Sequence, residues 1–126
     1  GVIKPGMTDQ VGHIIDVSAT FRDITGAQYP WKINGNQTLP PRGKSLLPIF
    51  KGGKREPHKE LYWHFNRANA VRQGDLKLVR AGKVWELYDL KADPAEMNNL
   101  AKQQPEKAQE LADLWEDWSR TNQHKQ

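Results

Sequence analysis

The sequence predicts an α+β fold in which a small antiparallel sheet of about four strands packs against a C-terminal helix. Three observations predict it. Apolar residues recur every three or four positions in an early segment, apolar and aromatic residues alternate in the middle of the chain, and helical spacing returns from Pro105 onward. We therefore expect an amphipathic helix and a long connection to precede the sheet. With 126 residues, the chain can form one modest hydrophobic core.

The first predicted element is an amphipathic helix from Asp9 to Ile24. Its apolar positions follow a spacing of three and four residues, and Gly26 is a typical stop signal. Either Thr8 or Asp9 is a suitable N-cap. One face of this helix should therefore be apolar.

A long connection is predicted between Ala27 and Lys59. It holds five of the eight prolines of the chain, and one short helical turn is expected near Ser45 to Phe50. Loops of this length are uncommon in a compact domain, and we expect this one to wrap around a larger body.

The sheet is predicted from four short segments in which the apolar period changes to two. They are "ELYWHF", "NAVRQ", "LKLVRA" and "VWELYDL". Turn residues separate them at Arg67-Ala68, Gly74-Asp75 and Gly82-Lys83. Such short, consecutive segments indicate an antiparallel meander.

Two helix starts are predicted after the strands. Asp93 is a suitable cap, Pro94 suits the first helical position, and Glu96 lies three residues after Asp93, as in a capping box. Pro105 opens the last helix, whose apolar stripe should cover one face of the sheet. Asp89, Asp93 and Glu96 could instead form a carboxylate pair for hydrolysis, but the cap and turn roles already explain them.

The composition of the chain limits the kinds of function that it can have. The net charge of +4 suggests acidic partners, but Lys and Arg are scattered and no nucleic-acid-binding pattern is present, so we expect no nucleic-acid partner. The absence of Cys excludes disulfides and thiolate metal sites. No apolar run is long enough to span a membrane, so no membrane partner is expected. The start at Gly1, with the first Met at Met7, suggests an internal start within a larger parent.

Four histidines are the natural candidates for metal or acid–base work. They are His13, His58, His64 and His124. No two of them have the spacing of metal ligands. The nearest arrangement is His13 with Asp9 and Asp16, which is either a metal-binding helix face or a solvated flank.

His64 is the more interesting candidate because polar residues follow it directly. Asn66, Arg67, Asn69 and Arg72 could bring several hydrogen-bond donors together around an anion. The alternative is a strand edge with solvated polar side chains. We predict His64, Asn66, Arg67 and Arg72 as substrate-binding residues of a larger parent.

With these residues laid out, the chain resembles the C-terminal end of the sulfatase family, the arylsulfatase-like sulfuric ester hydrolases. The matching pieces, in family order, are "GHIIDVSATFRDITGA", "GKSLLPIFKG", "LYWHF", "AVRQGDLKLV", "WELYDLKADPAEMNNLA" and "PEKAQELADLWEDW". The stretch after Trp63 and His64 often reads Pro-His-Tyr in similar sequences, where it can lie near the cleft, but this chain has Asn66, Arg67 and Ala68. Many relatives also have Asp where this chain has Arg42.

The resemblance implies a parent enzyme that hydrolyses sulfate esters with a formylglycine nucleophile and a calcium ion. Both belong to a large N-terminal domain, so no catalytic or metal residue is carried over to this chain, which should be inactive alone. Residues 1–54 then correspond to the end of the catalytic domain, and residues 55–126 to the C-terminal subdomain, which packs on it and shapes the substrate cleft. A periplasmic or secreted parent fits the resemblance.

The expected partners are the missing N-terminal catalytic domain and a sulfated carbohydrate or aryl sulfate substrate of the parent. Alone, the chain is expected to self-associate, because the apolar face of its first helix would lack a cover. A rival interpretation is a stand-alone binding module for sulfated or other polyanionic glycans. A purely structural interaction domain is a third.

Overall fold

The structure, a computed structural model, describes residues 5–123. The chain divides into two compact units, one up to His58 and one from Lys59 onward. His124, one of the four candidate histidines, lies outside the described residues. The assignment of residues 1–54 to a catalytic domain and 55–126 to a subdomain stays a prediction.

The first unit holds two helices and a small hairpin. Helix α1 spans Ile15–Thr25 and helix α2 spans Leu47–Phe50, while strands β1 (Lys32–Ile33) and β2 (Asn36–Gln37) pair antiparallel. Helix α1 ends at Gly26 as predicted, with a left-handed φ of 71°. The short turn predicted near residues 45–50 is confirmed as α2. The β1–β2 hairpin was not predicted.

The predicted start of the first helix is wrong. Helix α1 begins after Ile14, and neither Thr8 nor Asp9 caps it. The residues before it hold other bonds: Val11 O accepts from Arg55 Nη2 at 2.6 Å, and Gln10 Oε1 accepts from the backbone N–H of Arg55 at 3.1 Å. Val11 O is thus bonded to a distant side chain, and the helix starts at Ile15, six residues after Asp9.

The second unit confirms the predicted meander. Strands β3 (Leu61–Phe65), β4 (Ala68–Gln73), β5 (Leu76–Arg80) and β6 (Glu86–Asp89) form one antiparallel sheet in that order. Helix α3, Pro105–Gln123, starts at the predicted proline. The α+β class is thereby confirmed.

The core of the second unit lies between the sheet and α3. Val71, Leu78 and Leu87 face one another across three strands and are fully buried. From the helix, Leu111, Ala112 and Trp115 pack against them. Alternation along each strand places every second residue on this helix-covered face.

The helix predicted at Asp93 is absent, because the chain there forms turns. Asp93 Oδ2 accepts hydrogen bonds from the backbone N–H groups of Met97 at 2.8 Å and Asn98 at 2.7 Å. Glu96 does not complete a capping box. Its φ of 55° is left-handed, and its carboxylate binds Lys77 Nζ at 2.6 Å. Asp93 therefore caps a turn, and Glu96 binds a lysine of the neighbouring strand β5.

Candidate functional site

The first unit contains a buried carboxylate that binds four groups. Asp16 on α1 is fully buried, as are nearly all of the side chains of Arg55 and His58, which contact it. Its Oδ1 accepts from the Lys44 backbone N–H at 2.8 Å and lies 2.7 Å from His58 Nε2. Its Oδ2 accepts from Arg55 Nη2 at 2.8 Å and from the His13 backbone N–H at 2.9 Å.

The ionisation of Asp16 follows from these contacts. Burial alone would raise the pKa of the carboxyl group, but the hydrogen bonds from Arg55, from the Lys44 and His13 backbones and from His58 outweigh it and lower the pKa from 3.8 to about 2. Asp16 is therefore a stable anion that ties α1 to two segments of the connection.

The structure does not place Asp9, His13 and Asp16 on one helix face, because α1 begins at Ile15. The Asp16 carboxylate binds Arg55 and His58. Asp9 lies exposed in the segment before the helix. The pKa of the His13 imidazole is lowered. Burial is the main cause, and the nearby Asp16 carboxylate offsets only part of its effect. Within residues 5–123, no group of three or more acidic, His or Cys side chains is placed to hold a metal ion.

The second unit brings three of the four predicted site residues together. His64 is the penultimate residue of β3, and Asn66 and Arg67 form the turn into β4. All three side chains are exposed. Asn66 has a left-handed φ of 55°, which Asn tolerates better than most residues. This end of the hairpin therefore presents an imidazole, an amide and a guanidinium to solvent.

Arg72 lies elsewhere. It pairs with Leu61 at the other end of β3 and β4, while His64 pairs with Asn69. Three residues along a strand correspond to about 10 Å, and an odd separation places the two side chains on opposite faces. Arg72 Nε donates to Gly74 O at 2.8 Å. The structure therefore does not place Arg72 in the His64 group.

The His64 side chain belongs to a polar row on the helix-covered face. Its Nδ1 lies 2.8 Å from the amide of Asn69, and the other end of that amide lies 3.1 Å from Nη2 of Arg80. These residues are opposite one another on β3, β4 and β5. Sequence reasoning missed Arg80, and the strand register was the signal that could have identified it.

Aromatic rings surround the Arg80 end of this row. The guanidinium carbon lies 4.3 Å from the ring centroid of Trp85 and 5.5 Å from that of Trp115. The indole N–H of Trp115 donates to Trp63 O at 3.0 Å. Helix α3 is thereby tied to the strand that carries His64.

None of the helices in residues 5–123 is long and apolar enough to cross a membrane.

Comparison with known sequences gives a match along almost the whole chain. The profile of the family described as "N-sulphoglucosamine sulphohydrolase, C-terminal" matches residues 1–124. An uncharacterized sulfatase of Schizosaccharomyces pombe is 32% identical over 124 residues, which cover 90% of this chain and 22% of that protein. The N-acetylglucosamine-6-O-sulfatase of Bacteroides thetaiotaomicron is 31% identical over 133 residues, with 91% and 22% covered. The chain thus spans less than a quarter of these relatives.

Solved structures give the same fold. A protein solved in complex with its substrate, D-glucosamine-2-N,6-O-disulfate, superposes with a TM-score of 0.60 at 28% identity, covering 87% of this chain and 24% of its own. A 2-O GAG sulfatase gives a TM-score of 0.62 at 28% identity, with 84% and 24% covered.

Proposed function

Because this chain belongs to the N-sulphoglucosamine sulphohydrolase C-terminal family, we propose that it is the C-terminal part of a sulfatase, an enzyme that hydrolyses sulfate esters. The observation that carries the proposal is the family match over residues 1–124, by a chain that covers only 22% of two related sulfatases. The remaining length in those proteins leaves room for a catalytic domain. In this proposal the chain supports that domain and is inactive alone.

The proposed substrate class is a sulfated glycan. Relatives with an assigned substrate include an N-acetylglucosamine-6-O-sulfatase, and a structural neighbour was solved with a doubly sulfated glucosamine. The formylglycine nucleophile and the calcium ion of the family would be supplied by the part of the parent that precedes this sequence. The residues of this chain would then contribute to substrate binding and substrate specificity rather than to the chemical step.

We place the substrate contact of this chain at the β3–β4 turn. His64, Asn66 and Arg67 are exposed and adjacent, and each can donate a hydrogen bond to a sulfate or sugar oxygen. Arg67 can also hold a sulfate in a bidentate manner. Arg72 remains a separate proposal, because it would contact a substrate at a different place.

Steady-state kinetics of the full-length protein test this proposal. The probes are N-acetylglucosamine 6-sulfate and 4-nitrophenyl sulfate, which share the sulfate ester but differ in the sugar. We expect His64→Ala and Arg67→Ala each to lower kcat/KM for the sugar sulfate by about tenfold or more, the loss typical of one hydrogen bond to a charged group. A smaller loss with the aryl sulfate would place the contact on a sugar oxygen, whereas an equal loss with both probes would place it on the sulfate that they share.

Lys91→Ala is the matched control, because Lys91 is an exposed cation in the loop after β6. Unchanged kcat/KM in His64→Ala and Arg67→Ala would exclude the contact. An unchanged value in Arg72→Ala alone would exclude only that residue. A full-length protein with no sulfatase activity, together with salt-sensitive binding of sulfated oligosaccharides by this chain, would favour the binding module.

A further inference from the structure

The orientation of the Asn69 amide decides the chemistry of His64. Arg80 has only N–H donors, so the end of the amide 3.1 Å from its Nη2 must be the oxygen. The amide nitrogen then donates to Ala68 O at 3.1 Å and to His64 Nδ1 at 2.8 Å. In the reverse orientation two donors would face each other. The amide is therefore fixed from the Arg80 side.

The consequence is a defined tautomer of His64. An Nδ1 that accepts a hydrogen bond from an amide N–H carries no proton, so the neutral ring has its proton on Nε2. No hydrogen bond to Nε2 is found within residues 5–123, and the side chain is exposed. His64 therefore presents an N–H donor to its surroundings.

Arg80 is itself held on three sides. Its guanidinium carbon lies 4.3 Å from the Trp85 ring centroid and 5.5 Å from that of Trp115, a distance at which a cation is attracted to the ring. Nη2 also lies 3.9 Å from a carboxylate oxygen of Glu116 on α3. These contacts limit the rotation of the Arg80 side chain. Arg80 in turn fixes the orientation of the Asn69 amide, and that amide fixes the His64 ring.

We propose that Asn69 and Arg80 are positioning residues that fix His64 as the Nε2–H tautomer, so that it offers a hydrogen-bond donor to a substrate oxygen. The substrate part of this inference rests on the proposed function, whereas the tautomer does not. The chemistry recognised is an acceptor, such as a sulfate or hydroxyl oxygen. A donor group such as an ammonium would be disfavoured at this position.

NMR of the full-length protein labelled with ¹⁵N-histidine tests the tautomer directly. The His64 signals are assigned by their loss in His64→Gln. We expect Nδ1 to show the shift of a bare nitrogen and Nε2 that of a protonated one. In Asn69→Asp, the carboxylate can only accept, so Nδ1 should gain a proton. Asn69→Ala should give a mixture of the two tautomers.

Gln73→Glu is the matched control. Gln73 lies on the same strand and face as Asn69, and its amide likewise bridges two side chains, accepting from Lys107 at 2.7 Å and donating to Glu60 at 3.2 Å. This substitution makes the same chemical change away from His64. It should leave the His64 ring shifts unchanged. A proton on Nδ1 in the wild type, or on Nε2 alone in Asn69→Asp, would overturn the inference.

Kinetics of the same variants with N-acetylglucosamine 6-sulfate test the consequence. We expect Asn69→Asp to lower kcat/KM about as much as His64→Ala, and Arg80→Lys to retain more activity than Arg80→Met, because Lys can still donate to Asn69. If the tautomer changes as expected but neither His64→Ala nor Asn69→Asp alters kcat/KM, the substrate contact is wrong and with it the positioning role. If His64→Ala lowers kcat/KM but the tautomer does not respond, the proposed function stands and this inference fails.

Discussion

At the residue scale, Asp16 carries the clearest pH dependence. Its pKa falls from 3.8 in the unfolded chain to about 2 in the folded one, so the fold is stabilised above pH 4 and loses this contribution as the pH falls through 2. The difference corresponds to about 2 kcal/mol. We expect the free energy of unfolding, measured by urea denaturation of the full-length protein, to fall by that amount over this interval.

Asp16→Asn should remove that part of the pH dependence. At pH 7 the substitution should also lower the free energy of unfolding by about 3 kcal/mol, because Arg55 and His58 are left buried without the carboxylate. Asp9→Asn is the control, since Asp9 is exposed, and should change stability by less than about 0.5 kcal/mol. Equal pH profiles for Asp16→Asn and the wild type would contradict the assignment.

Asp93 permits a separate test of the view that Asp89, Asp93 and Glu96 have structural rather than catalytic roles. Its carboxylate accepts two backbone N–H groups in the turn after β6. Asp93→Ala should lower the free energy of unfolding by about 1 kcal/mol, as for other lost caps. Turnover by the full-length protein should persist. A folded variant with no activity would show that Asp93 has a role in chemistry.

At the element scale, the start of α1 depends on a close approach of the chain at Gly43. A Cβ at this position would lie 2.0 Å from the carbonyl oxygen of Ile15 and 3.2 Å from the Cα of Asp16. Backbone atoms cannot yield as a flexible side chain can. Gly43 thus brings the Lys44 N–H within reach of the Asp16 carboxylate.

We expect Gly43→Ala to lower the free energy of unfolding by about 1–3 kcal/mol, the range for overpacking. Gly12→Ala is the control, because its Cβ would meet only Leu46 Cδ2 at an ordinary 3.5 Å. Thermal unfolding of both variants would measure the difference. Equal stability of the two would mean that the segment around Gly43 shifts without cost.

The elements that the sequence predicts well are those set by local patterns. The four strands and α3 follow from alternation and from Pro105, and the family resemblance is confirmed by the match over residues 1–124. The start of α1 and the turn at Asp93 depend instead on partners elsewhere, Arg55 and Lys77 among them. The β1–β2 hairpin had a local signal, Asn34-Gly35, with φ values of 51° and 83° as in a type I′ turn, which the proline-rich surroundings masked.

The candidate site divides in the same way. His64, Asn66 and Arg67 are neighbours in the sequence, so a scan for converging donors finds them. Arg80 joins them only through the strand register, which composition does not reveal. In the Asp16 cluster, Arg55 and His58 contact a carboxylate 39 and 42 positions earlier in the chain. No periodic pattern in the sequence indicates such a distant pairing.

At the scale of the whole molecule, the exposed face of α1 bears on the proposed parent. Ile14, Val17, Phe21 and Ile24 are spaced by three and four residues, and between 40% and 77% of each is exposed. A helix stripe of this kind is normally covered by another surface. Since the related sulfatases are more than four times as long as the region they share with this chain, we expect their additional part to cover it.

The double substitution Phe21→Ser with Ile24→Ser should have different effects in the isolated chain, where this face is exposed, and in the full-length protein, where we expect it to be covered. In the isolated chain it should reduce self-association and the binding of a dye for apolar surface, measured by sedimentation and fluorescence. In the full-length protein it should instead lower the unfolding temperature, because the buried contact is lost. Val84→Ser is the control, since Val84 is an apolar residue that is 73% exposed in the β5–β6 connection of the second unit. A monomeric wild-type chain that binds no dye, or a full-length variant of unchanged stability, would show that α1 is not the face on which the rest of the protein packs.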